Sequence, residues 1–115
     1  MVEYGPPRLY LTYAALSDPW RRAILARLTG REARVTEIAA PFDISLNDVS
    51  KHLKVLERAG LVTRTVAGRD HWLSLAAEPL MEASSWIETY RAFWERRLDA
   101  LEGFLSGDTA IGPEE

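Results

Sequence analysis

Cysteine is absent from the 115 residues, and histidine is reduced to His52 and His71. The first absence excludes disulfide scaffolds, thiolate metal sites and cysteine nucleophiles together. The second leaves any metal or catalytic centre to be assembled almost wholly from carboxylates. No apolar run approaches the ~20 residues of a membrane span, and the N-terminus lacks a secretory-signal pattern, so a cytoplasmic location is expected. Internal repeats and low-complexity stretches are also missing. Excess charge is small: 14 Lys and Arg stand against 17 Asp and Glu, a net of −3. The strongly basic balance that announces a nucleic-acid binder is therefore lacking. What is present is ordinary globular composition, 47% hydrophobic and 27% charged, at a length suited to one domain.

The small net charge hides an asymmetry. Residues 1–75 carry 11 basic and 8 acidic side chains, a net of +3, whereas residues 76–115 carry 3 and 9, a net of −6. Halves of opposite sign suggest two different jobs.

Punctuation along the chain divides it into a flexible lead-in over 1–8, a body over 9–105 and a flexible tail over 106–115. A short helix is expected from Leu9 to Leu16, with Leu9, Tyr13 and Leu16 on one face. Asp18-Pro19 marks a second helix start, an N-cap acid followed by proline at the first helical position, running to about Thr29. Thr36 is the expected cap of a third, short helix from Glu37 to about Phe42. Ser45 caps a fourth from Leu46 to Ala59, with Gly60 just beyond it. Leu61–Val66 then favours strand, Ala67–Asp70 a turn, and His71–Leu75 a returning strand. Pro79 opens a long last helix to about Leu105. The fold class is mainly α with a small β-hairpin: a winged helix-turn-helix with a long C-terminal dimerisation helix.

Spaced at 100° per residue, Leu46, Val49, Leu53 and Leu56 lie within about 80° and form a buried stripe. Asn47, Ser50, Lys51, Lys54 and Arg58 occupy the adjoining face, with Glu57 as the only acid, at its margin. Amide, hydroxyl and cationic groups are what a DNA major groove requires: Asn pairs with adenine, Lys with guanine, and Ser with either. Lys54 and Arg58, further along, suit phosphates. The short helix and turn before this face make a helix-turn-helix, and the hairpin after it supplies a wing with Arg64 and Arg69 as backbone contacts. The DNA-binding set is then Ser45, Asn47, Ser50, Lys51, Lys54, Arg58, Arg64 and Arg69.

The last helix is about 40 Å long, whereas a winged-helix body of this size spans about 30 Å, so an overhang is expected. Apolar residues continue to its end. One stripe holds Leu80, Ile87, Trp94, Leu98, Leu101 and Leu105, and a second holds Ala83, Trp86, Tyr90, Phe93, Ala100 and Phe104. An apolar overhang marks an association surface, and a two-fold dimer is the simplest solution. Its interface is expected from Leu9, Tyr13, Leu16, Trp86, Ile87, Tyr90, Trp94, Leu98, Leu101 and Leu105. A ligand groove along the same stripe is the competing reading.

The stretches LSDPWRRAILARL, VTEIAAPFDISLNDVSKHLKVLERAGLV and GRDHWLSL resemble the ArsR-type winged-helix transcriptional repressors. WIETYRAFWERRLDAL is similar to the long aromatic helix that ends the metal-free branch of that family. The resemblance covers residues 9 to 105. It implies a cytoplasmic homodimer that binds double-stranded DNA at a pseudo-palindromic operator, with base contacts at Asn47, Ser50 and Lys51 and wing contacts at Arg64 and Arg69. Metal-sensing members carry paired Cys in the third helix or Asp/His sets on the last. Here EIAAPFD stands at the first place, and the second holds neither Cys nor His, so no metal and no cofactor is expected. Trp20 stands where the family commonly has a small polar residue, and the sequence assigns it no role. A winged-helix protein-interaction module without DNA binding remains the alternative. An enzyme is not expected, since no acid pair or nucleophile sits in a recognisable arrangement.

Overall fold

The computed structural model describes residues 6–107. They form α1 (Leu9–Leu16), α2 (Pro19–Arg27), β1 (Ala33–Arg34), α3 (Val35–Ala39), α4 (Leu46–Arg58), β2 (Val62–Ala67), β3 (Asp70–Leu75) and α5 (Glu78–Leu105). The chain divides into two compact units, Met1–Ala83 and Ser84–Glu115, and the division falls within α5. The expected lead-in lies partly outside the described residues, as does the tail from residue 108 on. Within the described part, Arg8 is tied down: its guanidinium donates to both carboxylate oxygens of Glu82 at 2.8 and 2.9 Å.

Helix α2 starts as its sequence dictates. The Asp18 carboxylate accepts from the amides of Trp20 at 2.7 Å and Arg21 at 3.2 Å. These amides have no partner inside the helix, so the cap satisfies them. Burial pushes the Asp18 carboxyl up, but the two amide bonds, with His52 and Arg21 nearby, outweigh it and the net shift is downward. Asp18→Ala is expected to cost about 1 kcal/mol in urea unfolding at neutral pH. Because the folded-state value is depressed, the contribution is whole above the ordinary carboxylate range and disappears as pH falls through the lowered value.

Several boundaries and one strand differ from expectation, most of the boundaries by a single residue. Helix α2 ends at Arg27, with Leu28 as its C-cap, rather than at Thr29. Helix α3 spans Val35–Ala39, not Glu37–Phe42, and its cap residue is Arg34 rather than Thr36. The physical reason is Glu37, whose carboxylate reaches back to the Arg34 amide at 2.8 Å. A glutamate at the third helical position can close the helix start whatever side chain precedes it. The unexpected strand β1 holds Arg34 extended, at φ −83° and ψ 159°. It pairs Ala33 with Leu73 and Arg34 with Trp72, so the hairpin is the larger part of a three-stranded antiparallel sheet ordered β1-β3-β2.

The core of the first unit lies where α2, α3, α4 and the sheet meet. Ile24, Ile38, Leu53, Leu56, Leu61 and Leu73 are fully buried there. Val49, Leu53 and Leu56 bear out the apolar stripe of α4. Leu46 does not belong to it and is 49% exposed, because the first residue of the helix lies beyond the edge of the core. Helix α4 ends in a left-handed Gly60 at φ 79°. The Leu61 amide returns to Leu56 O at 2.9 Å and the Gly60 amide to Glu57 O at 3.0 Å. This paired closure turns the chain directly into β2.

In the second unit α5 continues as one helix to Leu105. Trp86 and Tyr90 meet edge to face at 5.0 Å. Arg91 bridges Glu88 and Glu95 along the helix, and Arg97 lies over the Phe93 ring at 5.1 Å.

Candidate nucleic-acid interface

The turn between α3 and α4 is longer than the three-residue Phe42-Asp43-Ile44 connection expected, because α3 ends at Ala39. Its apolar residues Phe42 and Ile44 pack against the core. Trp20, unassigned from sequence, meets Phe42 edge to face at 5.6 Å. The contact joins the first turn of α2 to the turn before α4. Ser45 Oγ then accepts the Asp48 amide at 3.0 Å, which places Asn47 in the first turn of α4.

Helix α4 presents three distinct sides. Val49, Leu53 and Leu56 face the core. Asn47, Lys51, Lys54 and Arg58 form an exposed ridge, with Ser50 half-buried beside it. Leu46, Ser50 and Glu57 lie within about 40° of one another and form the edge nearest the hairpin. Between that edge and the hairpin is a hollow of about 290 Å³, lined among others by Arg34, Leu46, Ser50, Arg64, Arg69 and His71. On the opposite flank the Nδ1 of His52 lies 3.4 Å from an Arg21 guanidinium nitrogen, which gives His52 a packing role.

The hairpin closes with a two-residue loop, Gly68-Arg69, between the paired residues Ala67 and Asp70. Gly68 has φ 65°, and no other residue type among those described has a positive φ. Glycine at the first loop position matches a type II′ turn, whose twist suits the flanking strands. Arg69 is thereby held exposed at the tip.

Arg64, expected as a second wing contact, is committed elsewhere. Its Nε and Nη2 donate to Glu57 at 2.9 and 2.8 Å, and its Nη1 lies 3.2 Å from His71 Nδ1. Glu57, the lone acid at the margin of the α4 face, is thus neutralised within the chain. The Arg64 hydrogen bond lowers the Glu57 carboxyl below the ordinary carboxylate range. Burial opposes this, while the charges of Arg64, Lys54 and His71 reinforce it. The pair therefore stabilises fully above the ordinary carboxylate range and is lost only as pH falls through the depressed value. A carboxyl-carbon NMR titration should show Glu57 titrating low in the intact chain and moving upward in Arg64→Ala. An unchanged midpoint would contradict the pairing.

Arg34 was not singled out from sequence. Its guanidinium lies 5.4 Å from the centre of the Trp72 ring and within 3.5 Å of Glu37 and 3.9 Å of Asp70. The missed strand β1 hid it, because the pairing of Arg34 with Trp72 is what carries it to the hollow.

The residues expected at an interface between copies fall into two groups. In α1, Leu9 is only 6% exposed and Leu16 packs against the core, so the chain itself covers much of that face. Tyr10, at 77%, and Leu11 are the apolar side chains α1 exposes instead. In α5, Ile87, Tyr90, Trp94, Leu98, Leu101 and Leu105 are all exposed, as are Phe93 and Phe104. Trp86 is half-buried. Among the described residues no helix is long and apolar enough to cross a membrane. Among them, too, no three His, Asp or Glu side chains are grouped to hold a metal ion.

The chain is similar to known proteins in sequence and in fold. A helix-turn-helix domain family matches residues 16–65. The transcriptional repressor SdpR of Bacillus subtilis is 33% identical over 75 residues, 65% of this chain and 83% of SdpR. The HTH-type transcriptional regulator Rv2034 of Mycobacterium tuberculosis is 36% identical over 96 residues, 84% of this chain and 87% of its own. Among solved structures, an ArsR family transcriptional regulator superposes with a TM-score of 0.72 at 35% identity, covering 76% of this chain and 97% of that one. An ArsR-like transcriptional regulator from Rhodococcus sp. RHA1 gives 0.69 at 30% identity, over 84% and 92%. These relatives are named as regulators of transcription, not as enzymes.

Proposed function

Since the chain belongs to the ArsR-type winged helix-turn-helix transcriptional regulators, we propose that it works as a homodimeric repressor that reads a pseudo-palindromic DNA operator with α4. The observation that carries this reading is the exposed ridge of Asn47, Lys51, Lys54 and Arg58, backed by a buried stripe and free of unpaired acids apart from Asp48 on its far side. Asn47, Ser50 and Lys51, nearest the start of the helix, read base edges in the major groove, with Ser45 at its mouth. Lys54, Arg58 and the wing-tip Arg69 bind phosphates. Repression is the activity named for SdpR, and its transfer here rests on that likeness.

The second copy docks on the exposed apolar residues of α5 from Ile87 to Leu105. Aromatic side chains in such number suit an association surface. No effector is assigned.

The test joins assembly to charge. The protein should sediment as a dimer, and the logarithm of its affinity for a selected duplex should fall linearly with the logarithm of salt. Lys54→Ala should flatten that slope by about 1.8, which is ~0.9 for each of two protomers, while leaving sequence preference intact. A slope unchanged in Lys54→Ala, or a monomer with full affinity, would refute the reading.

A further inference from the structure

Arg64 lies on the core-facing side of its strand. It pairs across the hairpin with Leu73, and directly opposed residues in an antiparallel sheet share a face. Leu73 is fully buried, as is Val62 two residues before Arg64, so this face is the one that packs on the core. Thr63 and Thr65, on the other face, are exposed. Arg64 therefore reaches toward α4 and not outward.

All three nitrogens of its guanidinium are engaged inside the chain, two by Glu57 and the third by His71. The two carboxylate bonds form the parallel fork that gives an Arg–carboxylate pair its directional strength. Both side chains are about one-quarter exposed, 25% for Arg64 and 27% for Glu57, so the pair is better shielded than a surface ion pair. It links the last turn of α4, through Glu57, to β2 directly and to β3 through His71.

Beyond the Arg64–Leu73 pair the hairpin loses its packing. Val66 is 57% exposed, and residues from Ala67 to His71 are exposed as well. The outer half of the wing thus leaves the core with little apolar burial to fix its direction. On the neighbouring edge Arg34 adds its contacts with Trp72 and Asp70. On the α4 side the tie is Glu57–Arg64.

We propose that Glu57 and Arg64 are positioning residues: a brace that sets the wing against α4, so that Arg64 supports DNA binding by holding Arg69 in place and not by touching phosphate. The positioning half of this rests on the DNA-reading function proposed above. The brace itself is a property of the free protein.

The two roles for Arg64 give opposite results in three variants: Glu57→Gln, Arg64→Ala and the reciprocal exchange Glu57→Arg with Arg64→Glu. The first readout is amide hydrogen exchange of β2 and β3 without DNA. Both single variants should speed exchange in the outer hairpin to a similar degree, and the reciprocal exchange should restore protection. The second readout is affinity for a duplex selected by the unaltered protein. Both single variants should lose about tenfold, a size in the range of coupled pairs, with the salt slope unchanged. The reciprocal exchange should recover most of the loss.

If Arg64 instead binds phosphate, Glu57→Gln frees it and raises affinity. Arg64→Ala then flattens the salt slope by about 1.8, and the reciprocal exchange binds worst of all, since it places a carboxylate against phosphate. Any of these overturns the positioning role. Hairpin exchange unaltered in Glu57→Gln and Arg64→Ala overturns the brace. If the unaltered protein selects no duplex, the positioning role falls together with the proposed function. The exchange arm still decides the brace, so the two failures are told apart.

Discussion

Leu53→Ala is expected to lower the unfolding free energy by about 3 kcal/mol, within the range of about 2–5 for leucine deletions in cores. Leu53 is fully buried on the inner side of α4. It belongs to the cluster that contains Ile24 of α2, Ile38 of α3 and Leu73 of β3. Truncation removes apolar contact with all of these layers, and a small domain has few alternative packings with which to fill the space. Total stability for a domain of this kind is about 5–15 kcal/mol, so the loss is a large fraction of the whole. Urea unfolding should show a lower midpoint with an unchanged slope. Lys51→Ala, two residues away on the exposed ridge, should shift stability by less than about 0.5 kcal/mol. A Leu53→Ala loss below about 1 kcal/mol would contradict the burial of that stripe.

The second large effect is on DNA and separates reading from attraction. On a selected duplex, Lys51→Ala and Asn47→Ala should each reduce discrimination against altered bases by about 1–3 kcal/mol, roughly five- to 150-fold. Both side chains stand in the first half of α4, are exposed, and have no partner within the chain among the hydrogen bonds and ion pairs formed by the described residues. The amide of Asn47 can both accept and donate along one base edge, which suits adenine. The ammonium of Lys51 can only donate, which suits guanine. The positions at which preference is lost should therefore differ between the two variants. Lys54→Ala, one turn further along, should instead weaken all duplexes alike. Equal, position-independent losses in all three variants would mean that the ridge attracts DNA without reading it.

Much of this organisation was legible because short-range chemistry decides it. Asp18-Pro19 and Ser45 announce helix starts by supplying the oxygen that orphan amides need. Gly60 and Gly68 stand where the backbone is left-handed. The apolar and polar sides of α4 follow from its spacing alone. The failures lie where a distant partner decides. Strand β1 is two residues long and exists only because β3 offers an edge to it. Without it Arg34 cannot be placed, and the start of α3 shifts with it. Leu46 has the right angle for the buried stripe, but angle carries no information about where along the axis the core ends. Helix α1 is apolar on nearly every side, so periodicity picks Leu9, Tyr13 and Leu16 as a face without saying whether that face turns inward. The bond from Arg64 to Glu57 joins residues on different elements. A charge count sees an arginine in a wing and cannot see that its partner is already supplied.

Selection of genomic fragments by the purified protein at near-physiological salt decides whether α4 reads a two-fold operator. One or a few sites are expected, with half-sites related by a dyad and centred about 10 base pairs apart, one helical turn. Their enrichment should disappear when Lys51→Ala replaces the unaltered protein. A folded, dimeric protein that enriches no site over bulk fragments would rule out operator reading by α4, and so would one that enriches the same sites with Lys51 removed.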